Sequence, residues 1–469
     1  MWLRSLHPRI LSPSLSRLHY HPTRACLRFY SDATTKSAPP PPITKVEKLV
    51  LDSIKATGPI PFATYMQLCL SHPTHGYYTN PNHAVFGTRG DFTTSPEISQ
   101  VFGEIIGIWF LSQWVSAGKP ERVRLVELGP GRGTLMSDIL RVISQVTKSV
   151  NPVRAVHLVE TSRPLREQQA VVLERRVASR SNLHWHDAVD EVPPAPDTYT
   201  MLVAHEFFDA LPVHVLQKTQ QGWNEVLVAS SLEPLKDPRR AESTTPDSTD
   251  LDSETAPDSA MVYPRLRRVL SPAPTGISTV LGASSPRFQA MAEGTTIEVS
   301  PAAYRIGRKV GEMVAGGKRE TGVDEAAVEN NVKGTVGGCG LIVDYGGAKV
   351  HEDSFRAFKN HEIVDVFHRP GECDLTTNVD FAFLSEAMGD LVKTHGPISQ
   401  RTFLTRMGLD VRMEALALAA EGDKEREGGL KTAAKRLVDP LGMGAEYRFM
   451  GITSGKEADE VWPFVEQLG

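Results

Sequence analysis

Three groups of residues in this 469-residue chain have types and spacings suited to chemistry. The first is the run Glu127-Leu-Gly129-Pro-Gly131-Arg-Gly133-Thr134, with an apolar stretch before it and an amphipathic one after. Glycine carries no Cβ, so such a turn can be tight and a ligand can approach its backbone closely. A nicotinamide-dinucleotide site has GxGxxG spacing. Here the spacing is GxGxG, with an acid two residues ahead. That form suits S-adenosyl-L-methionine, whose carboxypropyl end would lie where a pyrophosphate otherwise sits. No Gly-Lys-Ser/Thr follows, which excludes a Walker loop. A glycine-rich turn with no ligand is the alternative these residues leave open. The second group is a pair of acids. Glu160 closes the apolar run VHLVE, where a carboxylate can accept both ribose hydroxyls; an acid there also suits a helix N-terminus. Asp187 follows a third short run, at the place that would face adenine, or is an ordinary loop acid. The third group is His205-Glu206-Phe207-Phe208-Asp209, directly after TMLVA. Glu206 and Asp209 could receive a cation and Phe207 or Phe208 could pack on it; a helix cap with core aromatics is the competing reading. Glu97 is a further candidate acid. His205-Glu206 is not a zinc site, because no second histidine falls four residues after His205. The cysteines at 26, 69, 339 and 373 lack the close spacing of a zinc or redox pair. No metal is expected.

These groups need elements to hold them. Val123–Glu127, Val153–Glu160, Leu183–Trp185 and Tyr199–Ala204 read as strands, with helices at Leu135–Val146 and Ser162–Ala178 between them. That alternation favours a parallel sheet covered on both faces. The expected class is α/β, with the Rossmann-like sheet of a class I S-adenosylmethionine-dependent methyltransferase, helical additions and loop insertions. Upstream, Ile43–Thr57, the segment opened by Pro61, and Ser99–Ala117 read as helices, and His75–Phe92 as a loop. Downstream, Thr295–Val314 reads as a helix, Gly338–Asp344 as an apolar strand leading into Tyr345-Gly346-Gly347, and Glu421–Gly429 as a charged surface turn. Residues 236–260 and 316–337 carry few apolar side chains and read as loose insertions, the first between two strands of a hairpin-like region.

The first thirty residues carry Arg4, Arg9, Arg17, Arg24 and Arg28, several hydroxyl residues and no acid. This is the composition of a mitochondrial transit segment, with no long apolar run of a secretory signal. A linker over 31–44, with four consecutive prolines, follows. The rest divides into an N-terminal helical and loop region over 45–118, a transferase core over 119–455 and a tail over 456–469. A net charge of −5 argues against a general nucleic-acid binder, and no apolar run reaches the ~20 residues that a membrane span needs.

Several longer strings then carry a resemblance: His75-Gly-Tyr-Tyr78, the stretch GDFTTSPEISQ ending at Gln100, Phe102-Gly-Glu104, the glycine turn, HEFFDALP ending at Pro212, and GECDLT ending at Thr376. Over residues 45–455 the chain resembles the MidA-like group of mitochondrial and bacterial methyltransferases, whose animal member is a complex I assembly factor that symmetrically dimethylates an arginine on the 49-kDa subunit. The resemblance implies a protein arginine acceptor and a mitochondrial address; Arg28, three residues before Ser31, suits a matrix-protease site, so the matrix is the expected compartment. The expected reaction is in-line transfer from sulfonium to a guanidinium nitrogen. Glu206 is the first candidate to orient the acceptor, with Asp209 and Glu97 behind it; Glu127, Gly129, Gly131, Gly133, Glu160 and Asp187 are expected at the cofactor. A methyltransferase for RNA or a small molecule, and a non-catalytic assembly chaperone, are the other readings.

Overall fold

The structure is a computed structural model, and it describes residues 41–79, 94–147, 151–231, 264–317, 336–420, 423–455 and 460–465. The transit segment, most of the linker, nearly all of both insertions and the last four residues lie outside the described residues.

The central sheet has seven main strands, labelled β1 (Val123–Leu128), β2 (Val153–Val159), β3 (Leu183–His186), β4 (Tyr199–His205), β5 (Gly338–Gly347), β6 (Lys393–Ser399) and β7 (Tyr447–Thr453). Their spatial order is 6-7-5-4-1-2-3. The first five run parallel, and β7 is antiparallel to both β5 and β6. β1 and β4 are buried along their whole length, which explains their unbroken apolar runs. The order reverses between β1 and β4, the place where open α/β sheets bind ligands at their carboxyl ends. This is the class I methyltransferase sheet.

Helices α1 (Gln100–Ser116), α2 (Thr134–Thr147) and α3 (Arg163–Leu173) pack on one face of the sheet. Ile105, Trp109 and Phe110 of α1 and Leu135, Ile139 and Ile143 of α2 share one apolar core with β1 and β4. Ser99 caps α1, its hydroxyl accepting the Val101 N–H at 3.3 Å.

A second, antiparallel sheet pairs Gly222–Ser230 with His214–Thr219, Ile60–Pro61 and Leu266–Leu270, and His214–Thr219 with Thr296–Val299. The helices Lys45–Thr57 and Phe62–Ser71 bury Val50, Phe62, Tyr65 and Met66 against it. Gly222–Ser230 and Leu266–Leu270 flank the first insertion as antiparallel neighbours, as the hairpin reading expects.

Two expectations are corrected. Thr295–Val314 is not one helix. Thr296–Val299 is a strand, favoured by its β-branched residues, and the helix is Pro301–Val314. Ser300 separates them, its hydroxyl accepting the Ala303 N–H at 3.1 Å, and Pro301 fills the first turn. The charged stretch expected as a surface turn at Glu421–Gly429 instead opens a helix, Lys424–Leu437. Lys, Glu, Arg and Leu are good helix formers, and Lys435 and Arg436 suit its C-terminal end.

Candidate active site

The glycine turn joins β1 to α2. Gly129, Gly131 and Gly133 have φ of 65°, 51° and 82°, a left-handed backbone that side chains with a Cβ resist. A Cβ on Gly129 would stand 3.0 Å from the Phe207 ring. The Gly131 carbonyl accepts the Gln169 Nε2–H at 2.7 Å.

Gln169 is wholly buried on α3. The same amide nitrogen reaches Glu160 Oε2 at 3.3 Å, and its oxygen accepts the Trp185 indole N–H at 2.8 Å. One side chain thus ties the glycine turn to the ends of β2 and β3. Arg166, three residues earlier and on the same helix face, donates to the Glu160 carbonyl at 2.6 Å and pairs with the Asp187 carboxylate.

A cavity of about 370 Å³ opens at this end of the sheet, within the range of small-molecule sites. Its wall includes Glu97, Glu127, Gly129, Gly131, Glu160, Asp187, Glu206 and Asp209. Those eight predicted site residues are brought together. Gly133 is not in the wall: it faces α3, where an added Cβ would sit 3.4 Å from Gln169, so it serves close helix packing.

The cavity has two ends, each lined by carboxylates. At the glycine end, Glu127 is buried and its Oε2 has no hydrogen-bond partner. Burial, with the charge of Glu160 adding to it, pushes its pKa up to about 8. Glu160 is raised too, chiefly by burial, although the Ser162 N–H donates to it at 2.8 Å. A buried carboxylate oxygen without a donor fits the ammonium of an amino-acid ligand, and two open glycines beside it fit that ligand's close approach. The residues present therefore fit S-adenosyl-L-methionine.

At the other end, Glu206 follows β4 with φ of 49°, a strained value for a residue other than glycine. Its backbone N–H donates to the Val343 carbonyl at 3.0 Å, which fixes the chain at the β4–β5 seam. Tyr447 Oη donates to Glu206 Oε1 at 2.6 Å and lies 2.5 Å from Tyr345 Oη. Burial pushes the Glu206 pKa up to about 8; the Tyr447 hydrogen bond opposes this, and the charges of Asp209, Asp374 and Glu97 add to it. Burial also raises Asp209, against the pull of Arg356. Asp374 accepts the Tyr78 hydroxyl at 2.7 Å. Glu97 stands 3.5 Å from Arg132 at the cavity mouth. His205 is held neutral by burial, its pKa near 3, and its Nε2 is 3.7 Å from Glu206, beyond a hydrogen bond.

Asp344, the β5 residue just past the last one paired with β4, shapes this loop. One oxygen accepts the N–H groups of Phe207, Phe208 and Asp209 at 3.2, 2.9 and 3.3 Å. Sequence reading placed Asp344 only at the end of an apolar strand, two residues ahead of a glycine pair. Asp344→Ala is expected to leave these buried donors unpaired. At about 1–3 kcal/mol for a group so stranded, thermal denaturation should show a drop in stability of about 3 kcal/mol or more. An unchanged melting temperature would refute this role.

Among the described residues no group of three or more His, Cys, Asp or Glu is arranged to hold a metal ion, and no helix is long and apolar enough to cross a membrane.

A family model for S-adenosyl-L-methionine-dependent methyltransferases matches residues 105–398. The chain is 36% identical over 433 residues to human "Protein arginine methyltransferase NDUFAF7, mitochondrial", covering 88% of this chain and 84% of that protein. The fruit-fly homolog of the same name is 34% identical over 422 residues, covering 86% and 83%. A solved structure from Burkholderia thailandensis with S-adenosyl-homocysteine bound shares the fold, with a TM-score of 0.64 at 21% identity, covering 87% of this chain and 91% of that one. The human and fruit-fly relatives are mitochondrial by name, and the address agrees with the arginine-rich, acid-free N-terminus. The fold, the cofactor cavity and the relatives converge: this chain belongs to the family of S-adenosyl-L-methionine-dependent methyltransferases that includes the mitochondrial NDUFAF7 proteins.

Proposed function

We propose that the chain methylates an arginine of the 49-kDa subunit of complex I in the mitochondrial matrix, forming symmetric dimethylarginine during assembly. The observation that carries this is the acidic end of the cavity, where Glu206, Asp209 and Asp374 converge beside the Phe207 ring. A planar cation is the ligand that such a wall attracts, and bidentate carboxylate contact suits guanidinium in particular. The relatives' names supply the arginine.

The cofactor supplies a methyl group on a positively charged sulfur. Glu127 and the Gly129–Gly131 backbone would hold its amino-acid end, Glu160 would accept its ribose hydroxyls and Asp187 would lie toward the adenine. Glu206 then accepts two guanidinium N–H groups and aims one nitrogen at the methyl carbon. With the cofactor bound, transfer of its methyl group to that nitrogen would form the C–N bond and leave sulfur as the neutral thioether. The alkylated nitrogen gives up a proton, which Glu206 takes and passes to solvent. Asp209 and Glu97 add negative charge around the acceptor.

This arrangement predicts a pH dependence. In the free protein Glu206 holds its proton until about pH 8, because burial and neighbouring acids disfavour its charged form. The acceptor needs the carboxylate, so kcat/KM should rise with pH up to about 8 and then level. Arginine-peptide binding near pH 7 should release protons, measurable by calorimetry in buffers of different ionisation enthalpy. The linkage sign for folding is opposite. The native state binds protons more tightly than the unfolded chain, so Glu127 and Glu206 stabilise the free protein at low pH. That contribution is lost as pH rises from about 4.5 to 8. A flat kcat/KM between pH 6 and 8.5 would contradict the Glu206 assignment.

The direct test is transfer of a labelled methyl group to the purified 49-kDa subunit, with the modified residue identified by mass spectrometry. Label on an arginine supports the proposal. Label on RNA or a metabolite alone, or cofactor binding with no transfer, refutes it.

A further inference from the structure

Behind the acceptor end lies a second pocket, of about 590 Å³, whose wall has the opposite charge. Lys349, Arg356 and Arg448 line it together with His351, against the single acid Glu446. Two of its polar atoms are buried without a partner: His351 Nε2, on a side chain 7% exposed, and Arg356 Nε. Arg356 is otherwise held by Asn378, whose Oδ1 accepts its Nη2–H at 2.8 Å, and its guanidinium lies 5.6 Å from the centre of the Tyr345 ring. A buried donor or acceptor left unpaired costs about 1–3 kcal/mol. Burial and the neighbouring cations Lys349 and Arg356 lower the His351 pKa, so that ring adds no charge; the unpaired Arg356 Nε–H, with Lys349 and Arg448, gives the pocket the composition of an anion site.

Two features tie the pocket to the reaction. Tyr345 lines it, and the hydroxyl of Tyr345 meets that of Tyr447, which donates to Glu206. Two tyrosines thus separate the pocket from the proposed acceptor carboxylate. Asp374 in the wall of the cofactor cavity and Asn378 in the wall of the second pocket lie on one short segment, four residues apart. Extended chain covers about 3.3–3.6 Å per residue, so a bound peptide can reach both places within a few residues.

We infer that the pocket lined by Lys349, His351, Arg356 and Arg448 is a specificity subsite, taking an Asp or Glu carboxylate of the acceptor protein a few residues from the methylated arginine. The inference rests on the arginine-acceptor reading for its meaning but not for its test, which is a binding experiment. The substrate is then read as a pair of opposite charges: the arginine in the acidic end, the acid in the basic pocket. A reversed or uncharged neighbour loses the second contact, and Lys349, Arg356 and Arg448 in the wall would repel a second cation.

The experiment uses the full chain with S-adenosylhomocysteine and two eleven-residue peptides. Each has a central arginine. One has glutamate three and four residues away on both sides, the other glutamine. Calorimetry should show the glutamate peptide binding at least tenfold more tightly, and the Lys349→Gln/Arg448→Gln double variant should bind both alike with unchanged S-adenosylhomocysteine affinity. Equal binding by the unaltered chain, or a preference that survives in the double variant, overturns the subsite. Inorganic phosphate is titrated in parallel. If it binds the pocket and the peptides are not distinguished, the site belongs to a free anion and the inference is wrong. If the glutamate peptide binds preferentially but no methyl reaches its arginine or that of the 49-kDa subunit, the subsite stands and the acceptor reading falls.

Discussion

Glu206→Gln is expected to abolish most methyl transfer while leaving the fold and the cofactor site intact. The carboxylate is buried, and it is positioned by Tyr447 and by the strained backbone at the end of β4. Losing a buried carboxylate that bonds a cation costs about 2–5 kcal/mol. Placed on the transition state, at 1.36 kcal/mol per tenfold, that is a fall in kcat/KM from about thirtyfold to several thousandfold. S-adenosyl-L-methionine affinity should stay within about twofold, because Glu127 and Glu160 are untouched. The rise of kcat/KM toward pH 8 should vanish along with the carboxylate. If Glu206 only caps a turn, its removal would cost some stability and almost no turnover. A steady-state assay of the variant against the 49-kDa subunit, with binding measured alongside, separates the two. Near-normal turnover would move the acceptor role to Asp209 or Glu97.

Gly131→Val should remove cofactor binding. Its φ of 51° is one that a β-branched residue adopts only with strain, and its carbonyl must stay aligned with Gln169. Calorimetry with S-adenosyl-L-methionine should show no binding up to millimolar concentration. The backbone strain could also unfold the turn, so Glu160→Gln provides a second reading. It changes no backbone angle and weakens the charged acceptor for the ribose hydroxyls. At about 1.5–3 kcal/mol for a charged hydrogen bond, affinity should fall by about tenfold to a hundredfold with melting temperature nearly preserved. Wild-type affinity in both folded variants would contradict the cofactor assignment.

Much of this site could be read from local sequence because its parts sit where local rules are strong. Three of the first four strands are mostly apolar runs, and each of the four has a wall residue at or just past its carboxyl end: Glu127, Glu160, Asp187 and Glu206. The supporting residues are a different matter. Tyr447 bonds Glu206 from 241 positions away, and Asp344 holds the Phe207–Asp209 backbone from about 136. No local pattern joins residues so far apart; only the closure of β5 and β7 on β4 does. Gln169 and Arg166 were visible only as polar residues of a charged helix, because their partners lie on two other strand ends. The strand at Thr296–Val299 was missed for a related reason. Four residues next to a strong amphipathic helix read as its first turn unless Ser300 and Pro301 are given weight as a start signal. The antiparallel sheet carrying it depends on pairing with distant Gly222–Ser230 and His214–Thr219, which tertiary contact alone decides.

The central claim, that this chain places a methyl group on arginine through Glu206, is tested most directly inside mitochondria. Quantitative mass spectrometry would compare arginine methylation in cells lacking the chain, cells with it restored, and cells restored with Glu206→Gln. The account predicts that symmetric dimethylarginine on the 49-kDa complex I subunit disappears without the chain, returns with the unaltered chain and does not return with the variant. Full methylation in the absence of the chain, or full restoration by Glu206→Gln, would contradict it.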